Sequence, residues 1–211
     1  MSKILHERIV LVTDTGDELG AAAAYEVVAN GGSVVANDPV GAGTLRAAAD
    51  AMVASLKRRD GYAIPSYKNP RKSFRDCIDM IQVGFDRWFW ISGIVHVDRD
   101  NGKTLQDILR AASHPMKEWG GSLVVLNASP QACAVIAEQA QTCREGRLLI
   151  NAIPPTKDGA LPASLVDYLM SPEAIRDNVY GKTIPSPKDM TPQQIRDNLA
   201  AVLAGATEGE E

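Results

Sequence analysis

Few residues in this chain have types and spacings that could do chemistry. Ser129 follows the apolar run Leu123-Val124-Val125-Leu126 almost directly, and could act as a nucleophile with His96 or His114 as its base. A nucleophilic serine needs a base that is itself oriented by a carboxylate, and no spacing in the sequence puts an Asp or Glu beside either histidine. Ser129-Pro130 reads better as a helix start, with the serine hydroxyl accepting an orphan N–H and the proline at the first helical position, where no N–H is needed. His114, just before Pro115, fits a helix end, where positive charge is favoured. Glu173 and Asp177 share a face only if their segment is helical, so no acid/base pair is built from them. Cys77, Cys133 and Cys143 lack the paired spacing of a zinc site and read as buried free thiols.

A denser group of charges sits at Asp14, Asp17 and Glu18, between the β-branched run Ile9-Val10-Leu11-Val12-Thr13 and an alanine-rich segment. Thr15-Gly16-Asp17-Glu18 has the T-x-x-E form of a capping box. Carboxylates at the positive end of a helix dipole are stabilising there, and they occupy the place where a bound phosphate would otherwise sit.

The elements needed to hold these residues alternate along the chain. Strands are predicted at 9–13, 33–37, 62–64, 88–91, 123–126 and 147–153. Between them lie helical patterns at 21–30, 44–57 and 74–85, one beginning at Thr104, and one opened by Ser129-Pro130. Continuous apolar strands, each returned by a helix, predict a parallel sheet covered on both faces, a doubly wound α/β architecture in a single domain. At 211 residues and 45% hydrophobic content the chain can bury one good core. The net charge of -4, with no basic stripe, argues against nucleic acid as a partner. No run approaches the length of a membrane span, and the expected location is the cytoplasm.

Several strings resemble the short-chain dehydrogenase/reductase family. These are Val12-Thr13-Asp14-Thr15 with Glu18-Leu19-Gly20, Ser33-Val34-Val35-Ala36-Asn37-Asp38, Phe85-Asp86-Arg87, and Gly146-Arg147-Leu148-Leu149-Ile150-Asn151-Ala152-Ile153-Pro154-Pro155. Leu165 to Ser171 and Val179 to Ile184 are similar to the family's closing helix and strand. The resemblance implies a Rossmann-like domain over residues 1–186, followed by an extension at 187–211. There Thr191-Pro192-Gln193-Gln194 starts a helix with Ile195, Leu199, Val202 and Leu203 on one stripe, and an acidic, disordered end is expected.

The family's working parts are missing from the sequence. Asp14 and Glu18 stand at the first two glycine positions of the phosphate loop, leaving only Gly20. A shifted reading through Gly16 and Gly20 still puts Ala22 at the third position. Two carboxylates against a pyrophosphate, at about 4 kcal/mol each, would cancel the roughly 8 kcal/mol of a micromolar complex. Asp38 alone matches the residue that holds the adenosine ribose. The family's acid/base pair, Y-x-x-x-K, is absent. Four positions after Tyr25, Tyr62, Tyr67, Tyr168 and Tyr180 stand Ala29, Ser66, Arg71, Pro172 and Ile184, and the loop that presents the tyrosine is missing after Ala128. On this reading the chain has no catalytic, cofactor-binding or metal-binding residues and is no enzyme on its own. It is expected to be a catalytically inactive pseudoenzyme subunit in a hetero-oligomer, a heterotetramer, with a catalytic family paralogue that carries NAD. The model is the family's heteromeric hydroxyacyl-CoA dehydrogenases of anaerobic aromatic degradation. The competing expectation is a small-molecule-binding or regulatory protein that uses the open cleft of the fold.

Overall fold

The computed structural model describes residues 4–38, 45–57, 62–156 and 161–184, with only the backbone at 45–49. Its element order is β1 (Ile9–Val12), α1 (Glu18–Ala29), β2 (Ser33–Asn37), α2 (Leu45–Lys57), β3 (Tyr62–Ser66), α3 (Phe74–Trp88), β4 (Gly93–Val97), α4 (Lys103–Met116), β5 (Gly121–Leu126), α5 (Pro130–Glu145), β6 (Leu148–Ile153), α6 (Ala163–Met170) and α7 (Pro172–Arg176). The six strands form one sheet in the order β3-β2-β1-β4-β5-β6, and every pairing is parallel. This is the doubly wound α/β architecture expected from the alternation of elements.

Successive side chains on a strand point to opposite faces, so each strand feeds two cores. Val10, Val12, Val34, Val95, Val124 and Leu126 pack with α1, α2 and α6. Leu11, Val35, Ile94, Leu123, Val125 and Ile150 pack with α3, α4 and α5. Neither face can tolerate polar alternation, which is why the strands read as unbroken apolar runs. Arg8 ties the α6 end to the sheet by donating to the carbonyls of Met170 at 3.1 Å and Ser92 at 2.8 Å.

One predicted strand is wrong. Trp88 ends α3, Phe89 caps it in a left-handed conformation with φ 66°, and the fourth strand begins only at Gly93. An aromatic run at a helix end carries the same apolar signal as a buried strand, and the two differ only in burial. The closing strand is also shorter than the 179–184 segment suggested. It consists of a single bridge, Ala152 to Thr183, with the Gly181 N–H donating to the Ile150 carbonyl at 2.7 Å. The helix and acidic end expected within 187–211 lie outside the described residues. Among the described residues no helix is long and apolar enough to cross a membrane.

Candidate functional site

Strand order reverses between β1 and β4, since β2 lies on one side of β1 and β4 on the other. In open parallel sheets the crevice at the carboxyl end of such a switch point is where ligands bind. Here it is walled by the loop from Thr13 to Asp17 and by the loop from Asp98 to Gly102.

The first loop is tight. Asp14 adopts φ 56°, a left-handed conformation that costs a non-glycine residue energy. The turn brings its carbonyl against α1, so a Cβ on Gly20 would lie 2.2 Å from the Asp14 oxygen. Gly20 therefore serves helix–strand packing. The cap of α1 is Asp17, whose side chain accepts from the Leu19 N–H at 3.1 Å. The expected Thr15 cap is corrected: its hydroxyl donates instead to the Asn37 carbonyl at 3.2 Å. Glu18, expected to face the phosphate corner together with Asp14, is exposed on the first turn of α1.

The Asp14 carboxylate, 6% exposed, accepts from the Arg71 guanidinium at 2.6 Å. Arg71 is delivered by the loop before α3. Asn37 holds that loop by donating to the Lys68 carbonyl at 2.8 Å, and the Asn69 side chain accepts from the Arg71 N–H at 3.1 Å. Asp17 is paired with Arg99 from the opposite wall. Asp38, at the end of β2, is buried over Gly16, where a Cβ would fall 2.5 Å from its carboxylate oxygen. One ion pair, Asp17–Arg99, thus spans the crevice, a second, Asp14–Arg71, fills its β1 corner, and the Leu19 N–H at the start of α1 is already taken by Asp17. The residues present do not fit a pyrophosphate, whose binding would require displacing Arg71 from Asp14.

The candidate nucleophile and bases do not converge. Ser129 is the N-cap of α5, accepting from the Ala132 N–H at 3.1 Å. Its hydroxyl donates to Asp98 at 2.6 Å. That carboxylate partner was invisible to spacing, yet it engages the serine proton directly with no histidine between them. Burial would raise the Asp98 pKa, but hydrogen bonds from the Ser129 hydroxyl and from the N–H groups of Ser129, Gly102 and Asp100 outweigh it and hold the pKa below the usual carboxylate value. His96 is fully buried on β4, with Nδ1 3.1 Å from Thr13 Oγ1. Burial lowers its pKa despite Asp14, Asp98 and Asp100 nearby, so the ring is neutral. Thr13 Oγ1 also accepts from the Val97 N–H at 3.0 Å. His114 lies in the last turn of α4, at the other end of the sheet.

Glu173 pairs with Arg176, and Asp177 accepts from the Tyr168 hydroxyl at 2.7 Å. Cys77 and Cys143 are buried and Cys133 is partly so. Burial pushes the Cys77 thiol up to about 12, which makes it inert as a nucleophile. Beside the crevice, Leu19, Leu126, Asn127, Ile153, Pro154 and Pro162 line a shallow, mainly apolar cleft.

No protein-family model matches the sequence, and no curated relative matches it. Solved structures do share the fold. A short-chain dehydrogenase from Mycobacterium smegmatis is similar with a TM-score of 0.75 at 16% identity, over 90% of this chain and 95% of that one. A hydroxysteroid dehydrogenase from Escherichia coli gives 0.73 at 16% identity, over 87% and 95%. A 7α-hydroxysteroid dehydrogenase complexed with NADH and 7-oxo glycochenodeoxycholic acid gives 0.73 at 16% identity, over 90% and 97%. The expectation that this chain is no enzyme on its own is corrected by these matches: the structures that share its fold are named dehydrogenases, and the missing Y-x-x-x-K string does not remove a chain from an enzyme fold. At such identities the likeness establishes one thing: the chain has the short-chain dehydrogenase fold.

Proposed function

We propose that this chain is a subunit of an oxidoreductase of the short-chain dehydrogenase/reductase family. In this reading it assembles with a paralogue that carries the Y-x-x-x-K pair and the glycine-rich phosphate loop. The assembly oxidises a hydroxyacyl-CoA, with NAD held by the paralogue as hydride acceptor, and the hydroxybenzylsuccinyl-CoA dehydrogenase of anaerobic aromatic degradation is the model for its substrate class. The observation that carries the reading is the crevice. The fold is kept over most of the chain, while its phosphate corner is occupied by Asp14 paired with Arg71 at 2.6 Å. A binding protein using the same fold is disfavoured, because the two walls of the crevice are tied together by the Asp17–Arg99 ion pair and the neighbouring cleft is shallow and mainly apolar.

Co-expression with the paralogue tests this. A one-to-one complex that reduces NAD with a hydroxyacyl-CoA faster than the paralogue alone supports it. A chain that stays unassociated, with the paralogue fully active by itself, overturns it.

A further inference from the structure

The end of the molecule opposite the crevice carries exposed aromatic side chains at the starts of three strands. Tyr62 opens β3, Phe89 and Trp90 precede β4, and Trp119 precedes β5. They are 56%, 83%, 37% and 58% exposed. The set is ordered by its own contacts. Trp90 meets Trp119 edge to face at 6.0 Å, Tyr62 meets Trp88 edge to face at 6.3 Å, and the Arg87 guanidinium lies 5.7 Å from the centre of the Tyr62 ring. The rings therefore form one preorganised face, unlike the singly scattered apolar residues of an ordinary surface.

Phe89 combines two local costs in one residue. It caps α3 at φ 66°, the position where helices ordinarily place glycine, and it presents a large apolar ring to water. A glycine there would relieve both. Among the described residues nothing offsets them, and a contact with a second chain would.

We propose that this aromatic face is the interface between two copies of this chain, related by a two-fold axis. Area supports it: at roughly 200 Å² per aromatic side chain, the four exposed fractions leave on the order of 450 Å². The exposed charged residues around them, Asp86, Arg87, Lys117, Glu118 and Arg147, bring the face to the roughly 800 Å² per partner of a stable dimer. Charge selects a second copy as occupant. The rim carries both signs close together, with Asp86 next to Arg87 and Arg147 donating to the Glu118 carbonyl at 2.8 Å, so a two-fold rotation can set the acids of one copy against the bases of the other. A lipid surface would instead be met by a rim of cations. The inference stands apart from the oxidoreductase reading, because the face lies at the far end of the sheet from the crevice and needs no paralogue.

Sedimentation velocity of the purified full chain between about 1 and 100 μM tests it. The wild-type chain should be dimeric over the upper part of that range. Phe89→Gly should raise the dissociation constant at least tenfold without lowering the thermal midpoint, and Trp119→Ser should act in the same direction. A wild-type chain that is monomeric throughout, or a dimer that both variants leave intact, overturns the proposal. So does a dimer lost only on deleting residues 187–211, which would name the C-terminal segment as the contact, or binding to anionic vesicles that Phe89→Gly abolishes in a monomeric chain. Association with the paralogue, measured separately, bears on the proposed function alone.

Discussion

Arg71 reaches Asp14 across 57 residues of sequence and holds its carboxylate at 2.6 Å in the corner where β1 turns into α1. The pair is largely buried, and Asp14 Oδ2 and Arg71 Nε have no further partner among the described residues. Removing one member leaves the other uncompensated, which is far more costly than the net worth of the intact pair. Arg71→Ala should therefore lower stability by roughly 2–4 kcal/mol, read from urea unfolding. An unchanged midpoint would show that the pair is solvated in solution.

The same corner makes a prediction about nucleotides. The isolated chain should show no saturable NAD or NADP binding below millimolar concentration in calorimetry. Asp14→Gly removes the carboxylate, relieves its left-handed backbone, and leaves the Arg71 guanidinium facing the start of α1. Phosphate affinity should rise by at least tenfold, with ADP as the probe. Micromolar NAD binding by the wild-type chain would mean that Arg71 leaves Asp14 readily, and the crevice would then be a working cofactor site.

How much of this was legible in the sequence depends on the range of each interaction. Strands such as Leu123 to Leu126 were visible because burial on both faces leaves no alternative to an apolar run. The Ser129-Pro130 helix start was visible because capping is local. Trp88 to Ile91 was misread for the same reason that the strands succeeded: an apolar run does not say whether a core or a second surface covers it. Thr15 was preferred as a cap over Asp17 because a capping box matches a string, while the backbone at Asp14 decides where the helix begins. Arg71–Asp14, Arg99–Asp17 and Ser129–Asp98 were unreadable, because each joins loops that only the strand order brings together.

Asp98 and Ser129 together hold the start of α5, the serine hydroxyl donating to the carboxylate and accepting from the Ala132 N–H. Ser129→Ala removes both the α5 cap and the donor to Asp98, which should cost about 1–2 kcal/mol. In an active complex with the paralogue, Ser129→Ala and His96→Ala should each leave turnover within a few-fold, since a general acid or base contributes about a hundredfold or more. A hundredfold loss with the complex intact would assign chemistry to this subunit. Because the folded Asp98 pKa is lowered, its stabilisation is present above the ordinary carboxylate pKa and is lost as the pH falls through the folded value.

Asp167 has the opposite sign. Burial, reinforced by the neighbouring Glu26 carboxyl, raises its pKa to about 8, while Asn30 donates to Asp167 at 2.8 Å and to Glu26 at 2.9 Å. The folded chain thus holds a proton that the unfolded chain releases near pH 4, about the ordinary Asp value. Stability from this group is full below that value and drains away as the pH rises toward 8. Unfolding midpoints should fall between pH 5 and pH 8.5, and Asp167→Asn should flatten that slope and lead the wild type at pH 8.5 by roughly 1–3 kcal/mol. Parallel pH profiles for the two proteins would show that Asp167 is ionised in the folded state.

Gly16 in the loop and Gly20 in the first turn of α1 should respond differently to the same methyl group. A Cβ on Gly20 would sit 2.2 Å from the Asp14 carbonyl oxygen and 2.7 Å from that of Thr13. Both are backbone atoms of the turn that positions Asp14, so α1 would have to move away from β1, and overpacking of this kind costs about 1–3 kcal/mol or more. A Cβ on Gly16 would meet the Asp38 carboxylate at 2.5 Å. That contact is also too close, but it is with the end of a side chain rather than with the backbone, and a side-chain shift is cheaper than a helix shift. Gly20→Ala should therefore lower the unfolding midpoint clearly more than Gly16→Ala, and it should disturb the Arg71–Asp14 pair as well. If Gly16→Ala proved the more damaging, Asp38 would be fixed in place by its surroundings, and its position over the loop would matter more to the fold than the packing of α1 on β1.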